Sequence, residues 1–387
     1  LIWGDKKYVL SSLLPEFAGK VNLIYIDPPF DTGADFSFKA TIPDNPETEE
    51  DETTTFVKQP SIIEQKAYRD TWGKGLQSYL QWFYETAILL RELLTENGSI
   101  YVHLDWHIGQ YAKVVLDEVF GYENFINEVV WQRSAGHHLA TKGYDVLTDQ
   151  IYFYAKSNSY VYNQQYQKLE ENEFIQKFPN IEKETGRKFQ HRPLEQIENA
   201  YSKGELRIIQ GKEMTTKIGW RWTQETIDNR LKENPYLIYW TNSDRPRYKI
   251  YADEYKGRKV GNLWTDVAPL SSTSKERVEY ATQKSEALLE RIIKASSNED
   301  DLVLDCFVGS GSSAAVAEKL NRRWIACDLG RFAIHTTRKR LLGIDNLKPF
   351  VVQNLGKYER QQWMKAEFDR SDTRVIQEKA YRHFILD

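Results

Sequence analysis

The stretch "LVLDCFVGSGSSAAVAEKL", from Leu302 to Leu320, joins a short apolar segment to an alanine-rich segment through a turn with two glycines. The apolar segment predicts a buried strand, and the alanine-rich segment predicts a helix. Glycine permits the positive φ and the close backbone approach that such a tight turn requires. A second strand is predicted for "RWIACD", which follows at Arg323–Asp328. This succession of strand, helix and strand is typical of an α/β protein with a parallel sheet.

The same alternation runs through much of the chain. "VNLIYID" at Val21–Asp27 and "SIYVHLD" at Ser99–Asp105 predict buried strands, with the helical segment "LQSYLQWFYETAILLRELL" between them. We therefore predict a doubly wound, mostly parallel sheet, whose ligands bind beyond the carboxyl ends of the strands. Aspartate stands at or just past five predicted strand ends, namely Asp5, Asp27, Asp105, Asp305 and Asp328. These carboxylates are expected to line one crevice.

The composition indicates a globular chain. Its 387 residues suffice for one large α/β domain with an insertion, or for two domains. No segment approaches the roughly 18 apolar residues of a membrane span, so no membrane partner is expected. Two cysteines, Cys306 and Cys327, cannot form a disulfide framework, and a cytoplasmic location is expected. The net charge of -4 leaves nucleic-acid binding open, because a basic groove can lie on an acidic protein.

The regular order breaks down in the middle of the chain. Residues 156–274 hold short aromatic segments, glycine-centred turns and basic clusters such as "RPRYK" at Arg245–Lys249, and we interpret them as an inserted, irregular domain. The acidic segment 41–55 predicts a mobile loop. The chain begins with Leu1 and is interpreted as a trimmed or processed piece. The predicted organisation is a first half of an α/β domain at 1–155, the insertion at 156–274, the second half at 275–345, and a charged, helical extension at 346–387.

The glycine turn has the residues of an adenosine-binding loop. Gly309 and Gly311 let the backbone approach a ligand, and Asp328 ends the next strand, where its carboxylate can accept hydrogen bonds from ribose hydroxyls. The glycines also fit the dinucleotide pattern Gly-x-Gly-x-x-Ala, so a nicotinamide-dependent oxidoreductase is an alternative. Asp305 and Phe307 favour S-adenosylmethionine instead. The acid would repel a pyrophosphate but suits a positive amino group, and the aromatic stands where a dinucleotide loop has its first glycine.

The corner "DPPF" at Asp27–Phe30 predicts catalysis on a nucleobase. An exocyclic amino group is a poor nucleophile because its lone pair is delocalised into the ring. Asp27 and the carbonyl of Pro28 can accept both amino hydrogens and draw the nitrogen toward a tetrahedral geometry, while Pro29 keeps the turn rigid. Phe30 can stack on the base, which is worth about 1–3 kcal/mol. Such a base must first be flipped out of its duplex.

The motifs "DPPF" and "FVGSG" resemble the catalytic and cofactor motifs of the amino-methyltransferases of DNA. Their order, with the catalytic motif first, is similar to the beta class, which includes the modification subunits of type III restriction systems. The resemblance implies a seven-stranded S-adenosylmethionine-dependent methyltransferase fold with permuted motifs and a target recognition domain at 156–274. It implies cofactor contacts from Asp5, from Thr282, Gln283 and Lys284 beside the methionine moiety, and from Asp305, Phe307, Gly309, Gly311 and Asp328.

The resemblance further implies a site-specific methyltransferase acting on adenine N6, with S-adenosylmethionine as cofactor and double-stranded DNA as substrate. Asp27 favours adenine, since relatives that act on cytosine N4 more often have serine there. Cytosine-N4 methylation and a catalytically silent DNA-binding subunit are alternatives, besides the oxidoreductase. A homodimer and a restriction or defence-system subunit are further candidate partners.

Basic and aromatic clusters supply the candidate DNA contacts. Arg245, Arg247 and Lys249 are candidates to reach phosphates or base edges, and solvated surface loops are an equal alternative for these clusters. His137 and His138 are expected in a loop near DNA, and no metal site is predicted, because neither an acid nor a cysteine stands at a metal-like spacing from them. For His103 and Asp105, a place in the target pocket and a structural role are both open.

Overall fold

A computed structural model describes residues 1–29, 38–43, 53–58, 75–134, 143–198, 200–271, 273–278, 280 and 282–355, with the backbone alone for 38–43 and 53–58. The chain divides into two compact units. Leu1–Gln165 and Gly261–Asp387 form the first unit, and Tyr166–Val260 forms the second. Within the described ranges, no helix has the length and apolar character needed to cross a membrane.

Strands and helices alternate in the first unit, and short strands prevail in the second. The strands are β1 (Ile2–Trp3), β2 (Val21–Ile26), β3 (Phe38–Pro43), β4 (Thr53–Lys58), β5 (Leu94–Leu104), β6 (Phe125–Gln132), β7 (Thr148–Ala155), β8 (Tyr166–Gln167), β9 (Asn180–Ile181), β10 (Lys188–Pro193), β11 (Arg207–Ile209), β12 (Lys212–Met214), β13 (Ile238–Trp240), β14 (Pro246–Tyr251), β15 (Arg258–Lys259), β16 (Leu263–Trp264), β17 (Leu302–Asp305), β18 (Arg323–Asp328) and β19 (Gln353–Asn354). The helices are α1 (Lys6–Phe17), α2 (Leu76–Leu93), α3 (Gly109–Phe120), α4 (Glu171–Lys177), α5 (Gln224–Glu233), α6 (Glu286–Ser296), α7 (Ser312–Lys319) and α8 (Arg331–Leu342).

The main sheet is mostly parallel, as predicted. Its order is β16–β6–β7–β5–β2–β17–β18–β1–β19, which makes nine strands among the described residues. Of these, β7 runs antiparallel to both of its neighbours, and the other neighbouring pairs are parallel. The predicted count of seven is exceeded because the two-residue strands β16 and β19 extend the sheet at its two edges.

Helices cover both faces of this sheet, which confirms the doubly wound α/β class. The first three helices pack side by side, and α6, α7 and α8 form a second row. Ile24 and Ile26 of β2 belong to the core cluster that also holds residues of α1, α2 and α3. On the other face, Tyr101 of β5 is buried and hydrogen-bonds to Ser296 of α6 at 2.8 Å. Burial on both faces explains why these strands are continuous apolar runs.

The second unit contains an antiparallel sheet in the order β13–β14–β10–β9. One face of the sheet packs on a core around Trp220 and Ile227, the latter from α5. The unit is shorter than the predicted insertion at 156–274. Residues on both flanks belong to the first unit, since β16 pairs with β6 of the main sheet.

Two expectations about the remaining segments need correction. The predicted mobile loop at 41–55 begins inside β3 and ends inside β4, and these strands pair antiparallel. Of the extension predicted as helical at 346–387, the described part at 346–355 contains β19, which pairs with β1. Residues 44–52 and 356–387 lie outside the described residues.

Candidate active site

The structure brings the five strand-end aspartates to one edge of the main sheet. The strands β5, β2, β17, β18 and β1 are consecutive neighbours and run parallel. Their carboxyl ends carry, in the same order, Asp105, Asp27, Asp305, Asp328 and Asp5. Asp27 therefore lies on a central strand, next to the strand that leads into the glycine turn. Ligands of doubly wound sheets bind at this edge.

Most of these carboxylates organise the backbone beyond their own strands. In four cases the side chain accepts a hydrogen bond from the N–H two residues further along, at 2.8–3.0 Å, and the acceptors are Asp5, Asp105, Asp305 and Asp328. The second oxygen of Asp328 accepts the N–H of Gly309 at 2.9 Å, which ties the glycine turn to the end of β18. The edge is thus held by side chain to backbone bonds before any ligand binds.

The glycine turn requires its glycines. Gly309 and Gly311 have φ values of +51° and +80°, a region that side chains rarely adopt. A Cβ on Gly311 would lie 2.9 Å from the Cα of Thr337 on α8. Gly311 also caps the N-terminus of α7, where unpaired N–H groups attract negative charge. The positive φ of both glycines, together with the close approach of Thr337 to Gly311, explains why this turn has the sequence Gly-Ser-Gly.

Asp305 provides the test of whether the site fits a cationic cofactor. It is 4% exposed, and burial raises its pKa to about 7, with the negative charges of Asp27 and Asp328 adding to the rise against hydrogen bonds from Ser313 and Phe307. A carboxyl group desolvated in this way is stabilised in its charged form by a nearby cation. The ammonium and sulfonium groups of S-adenosylmethionine are such cations, so the residues present fit that cofactor.

For three other residues that were expected at the cofactor, the structure gives no direct indication of a cofactor contact. Gln283 is buried and braces its own loop, since it accepts the N–H of Val278 at 2.8 Å and donates to the carbonyl of Glu276 at 2.7 Å. Thr282 is exposed. The ring of Phe307 packs on Trp82 of α2, with 5.6 Å between ring centroids. Cofactor contacts by these three residues remain predictions.

Lys284 lies at the acid–proline–proline corner. Its ammonium group bonds to Oδ2 of Asp27, across 257 residues of sequence. Pro28 is buried and Pro29 exposed, whereas Phe30 is outside the described residues. Oδ1 of Asp27 is buried and has no hydrogen-bond partner within the part of the chain that the structure describes. The corner therefore presents a carboxylate with one oxygen paired and one unpaired.

A buried polar network adjoins the corner. The hydroxyl of Tyr25, two residues before Asp27, lies 3.0 Å from Nδ1 of His103, and Nε2 of His103 lies 3.1 Å from Asp149. Arg133 pairs with the other oxygen of Asp149 at 3.1 Å. Burial opposes ionisation of Asp149, but His103 and Arg133 more than offset it and hold its pKa below the usual range. His103 is fully buried, which favours the structural alternative.

The sequence did not single out Asp149, Arg133 or the role of Lys284 at Asp27. Asp149 lies near the start of β7, the strand that runs against its neighbours, so it escapes a search of strand carboxyl ends. In the sequence Asp149 stands in the polar start of β7, ahead of the apolar run at 151–155, so nothing marked it as part of a buried network. His137 and His138 lie outside the described residues, and no group of three metal-binding side chains occurs among the residues that are described.

The candidate DNA-binding residues lie on the second unit, in or beside β14. The side chain of Arg245 is 57% exposed and pairs with Glu195 at 2.7 Å. Arg247 donates from Nε to Nδ1 of His191 at 2.7 Å, and the His191 ring stacks on Tyr239 at 4.4 Å.

Lys249 is placed differently from these two arginines. It is buried, and its ammonium pairs with Glu182 at 2.5 Å. The Lys249 ammonium is therefore not at the surface where DNA could bind.

The structure thus places the glycine turn and the acid–proline–proline corner on adjacent strand ends of an α/β sheet. The chain belongs to the N6/N4 DNA methylase family, whose profile, described as DNA methylase, matches residues 21–339. This family uses S-adenosylmethionine as its methyl donor. The match overturns the alternative of a nicotinamide-dependent oxidoreductase.

Several known proteins are similar to this chain. The type II methyltransferase M.EcaI of Enterobacter cloacae is 29% identical over 341 residues, which cover 88% of this chain and 68% of that protein. The StyLTI Mod subunit, from a type III restriction-modification enzyme of Salmonella typhimurium, is 28% identical and matches 89% of this chain and 54% of its own length. Against the Mod subunit, the chain thus spans about half of the relative's length. The solved PvuII DNA methyltransferase (cytosine-N4-specific) aligns with a TM-score of 0.43 at 15% identity, over 92% of this chain and 94% of that chain.

Proposed function

We propose that this protein is a site-specific DNA methyltransferase that transfers a methyl group from S-adenosylmethionine to the exocyclic N6 of an adenine flipped out of double-stranded DNA. The observation that carries the proposal is the placement of Asp27. Its carboxylate lies at the end of β2, next to the Asp305 strand that leads into the glycine turn, and one of its oxygens is unpaired among the described residues. An amino hydrogen of a target base is a donor that such an oxygen can accept.

The proposed reaction needs an activated amino nitrogen. S-adenosylmethionine supplies the methyl group, so that a nitrogen–carbon bond forms while the carbon–sulfur bond breaks onto sulfur, and the methylated nitrogen then loses a proton to solvent. Asp27 accepts one amino hydrogen, and the carbonyl of Pro28 accepts the other. Both acceptors are fixed before substrate binds, because proline restricts the backbone of the corner. Preorganised acceptors of this kind lower the barrier without reorganisation during the reaction.

Adenine is proposed rather than cytosine because the catalytic motif begins with Asp27, where the resembling enzymes that act on cytosine N4 more often have serine. The family includes enzymes for both amino groups, and the polarisation that Asp27 supplies would serve either base. The family description supports DNA as the substrate, and the names of the similar proteins support a restriction or defence system as the setting. The double-stranded form of the substrate remains a prediction. A homodimer remains a prediction.

Mass spectrometry of the nucleosides from methylated DNA tests the proposal. The protein is incubated with isotope-labelled S-adenosylmethionine and DNA from a strain lacking its gene. We expect label in N6-methyldeoxyadenosine. Label in N4-methyldeoxycytidine would replace adenine by cytosine as the substrate. The absence of label in either nucleoside, with the cofactor bound, would favour the silent DNA-binding subunit.

The Asp27→Ala variant tests the corner itself. We expect it to lose nearly all methyl transfer, because the acceptor for the amino hydrogen is removed. Its affinity for S-adenosylmethionine, measured by calorimetry, should stay within about threefold of wild type, a difference of less than ~1 kcal/mol. Methylation at a near wild-type rate would contradict the proposed role of Asp27.

A further inference from the structure

Asp27 differs from the neighbouring strand-end aspartates in what its oxygens contact. The other four each accept the N–H two residues further along the chain, as described above for Asp5, Asp105, Asp305 and Asp328. For Asp27 the residue in that position is Pro29, and the residue between them is Pro28. Proline has no N–H to donate. The two prolines thus remove the backbone donors that satisfy the equivalent carboxylates.

The other oxygen of Asp27 is occupied by Lys284. The two side chains form an ion pair and are only 16% and 17% exposed. The backbone of Lys284 is also fixed, because its carbonyl accepts the hydroxyl of Ser312, the first residue of α7, at 2.9 Å. A long side chain that could reach many positions is therefore held at one oxygen of one carboxylate.

We propose that Lys284 is a positioning residue for Asp27: its ammonium group holds Oδ2, while the prolines withhold backbone donors from Oδ1, so that Oδ1 is kept for an amino hydrogen of the target base. This inference rests on the proposed function, since it requires an amino group as substrate. It assigns Lys284 to the catalytic corner, whereas the family resemblance implies a contact with the cofactor.

Carboxylates other than Asp27 also lie near the ammonium group of Lys284. Asp27 faces Asp305, each on the end of its own strand, and Lys284 also acts on Asp149, whose pKa it helps to lower. The ammonium group of Lys284 thus brings a positive charge to a sheet edge where several carboxylates meet, and it contacts the one that is proposed to accept from the base.

Kinetics of Lys284 variants test the proposal. Lys284→Met keeps the length of the side chain but removes its charge. At saturating S-adenosylmethionine we expect kcat to fall roughly 100-fold, the loss typical of a misplaced catalytic group. The Kd for S-adenosylmethionine, measured by calorimetry without DNA, should change less than threefold. Lys284→Arg should recover part of kcat, because it restores a positive charge within reach of Asp27.

A double variant separates a role through Asp27 from a general structural role. If Lys284 acts through Asp27, adding Lys284→Met to Asp27→Asn should lower single-turnover methyl transfer by less than about threefold further. Lys294→Met is the matched control, because Lys294 is exposed on α6 and pairs with Glu290 of the same helix. We expect wild-type kcat and Kd for this control.

Three results would overturn the proposal: an unchanged kcat in Lys284→Met, a tenfold weaker cofactor affinity with normal kcat, or a 100-fold further loss in the double variant. The second result would restore the cofactor role of Lys284. Failure of the proposed function is recognised separately, since wild-type protein would then bind S-adenosylmethionine and methylate no DNA.

Discussion

At the level of single residues, identical aspartates at equivalent strand ends have different chemistry because of the residues that follow them. Asp305 is followed by residues with N–H groups and becomes a buried hydrogen-bond acceptor that organises the glycine turn. Asp27 is followed by two prolines, and within the described part of the chain one of its oxygens has no hydrogen-bond partner. A carboxylate that supports a loop and the one proposed to polarise a substrate thus differ by the presence of a backbone donor.

The raised pKa of Asp305 predicts a pH dependence of cofactor binding. Its folded-state pKa is about 7, so the carboxyl is mostly protonated at pH 6 and mostly ionised at pH 8. A cationic ligand favours the ionised form. We expect the affinity for S-adenosylmethionine to rise with pH over this range, by up to about tenfold. Calorimetry at pH 6 in two buffers of different ionisation enthalpy should show proton release on binding.

The Asp305→Asn variant is the control for this prediction. Asparagine retains an acceptor for the N–H of Phe307 but cannot ionise. Its affinity should be lower at pH 8 and flat between pH 6 and pH 8. A wild-type affinity that does not vary with pH would show that Asp305 is not the group linked to binding.

Among the structural elements, the turn between β17 and α7 is tightly constrained by its sequence. A side chain at Gly311 would be strained by the φ of +80° and would meet Thr337 at under 3 Å. We expect Gly311→Ala to lower the free energy of unfolding by about 1–3 kcal/mol. It should also weaken cofactor binding at least tenfold, because α8 must move away from the turn. Chemical denaturation and calorimetry measure the two effects.

Gly343 supplies the matched comparison for Gly311. It caps the C-terminus of α8 with a φ of -85°, and a Cβ there would come no nearer than 3.4 Å to another atom. Gly343→Ala should therefore change stability by no more than about 0.5 kcal/mol and leave cofactor binding unchanged. Equal effects of the two substitutions would mean that the glycine turn is less tightly packed than the distances indicate.

The elements of the first unit could be predicted because local pattern and fold agree. The long amphipathic helix expected from Leu76 is α2, and the buried runs at Val21 and Leu302 are β2 and β17. The glycine turn and the acidic strand ends are also local features. The ion pair of Asp27 with Lys284 could not be predicted in the same way. It joins residues that only the parallel order of the strands brings together.

For the whole molecule, the sequence predicted an insertion but not its limits. Residues 261–274 look irregular, yet β16 at Leu263–Trp264 completes an edge of the main sheet. A two-residue strand has no periodicity to detect, and its pairing partner is more than 130 residues away. The strand β19 could not be predicted for the same reason: it has two residues, and they lie in the segment predicted as a charged extension. Where a very short strand forms the edge of a sheet, tertiary contacts rather than local sequence determine its position.

The second unit, Tyr166–Val260, is where we predict DNA recognition, and Arg247 is its most specific candidate. Its guanidinium group is oriented by His191, which in turn stacks on Tyr239. An oriented arginine can bond to a base edge, a contact worth about 1–3 kcal/mol, whereas an unconstrained one gives mainly phosphate attraction. We expect Arg247→Ala to weaken binding to a duplex with the sequence that the protein methylates more than binding to a random duplex.

Arg258→Ala is the matched control for Arg247→Ala, since Arg258 lies in the same unit, carries the same charge and is 60% exposed in its pair with Glu173. Fluorescence anisotropy with both duplexes at two salt concentrations measures the effects. Loss of one phosphate contact lowers the salt dependence and affects both duplexes equally. We expect that pattern, or no change, for Arg258→Ala, and a selective loss on the target duplex for Arg247→Ala. If Arg247→Ala binds both duplexes with unchanged affinity, recognition lies elsewhere than on β14. If it loses the same affinity for both duplexes, Arg247 is a phosphate contact.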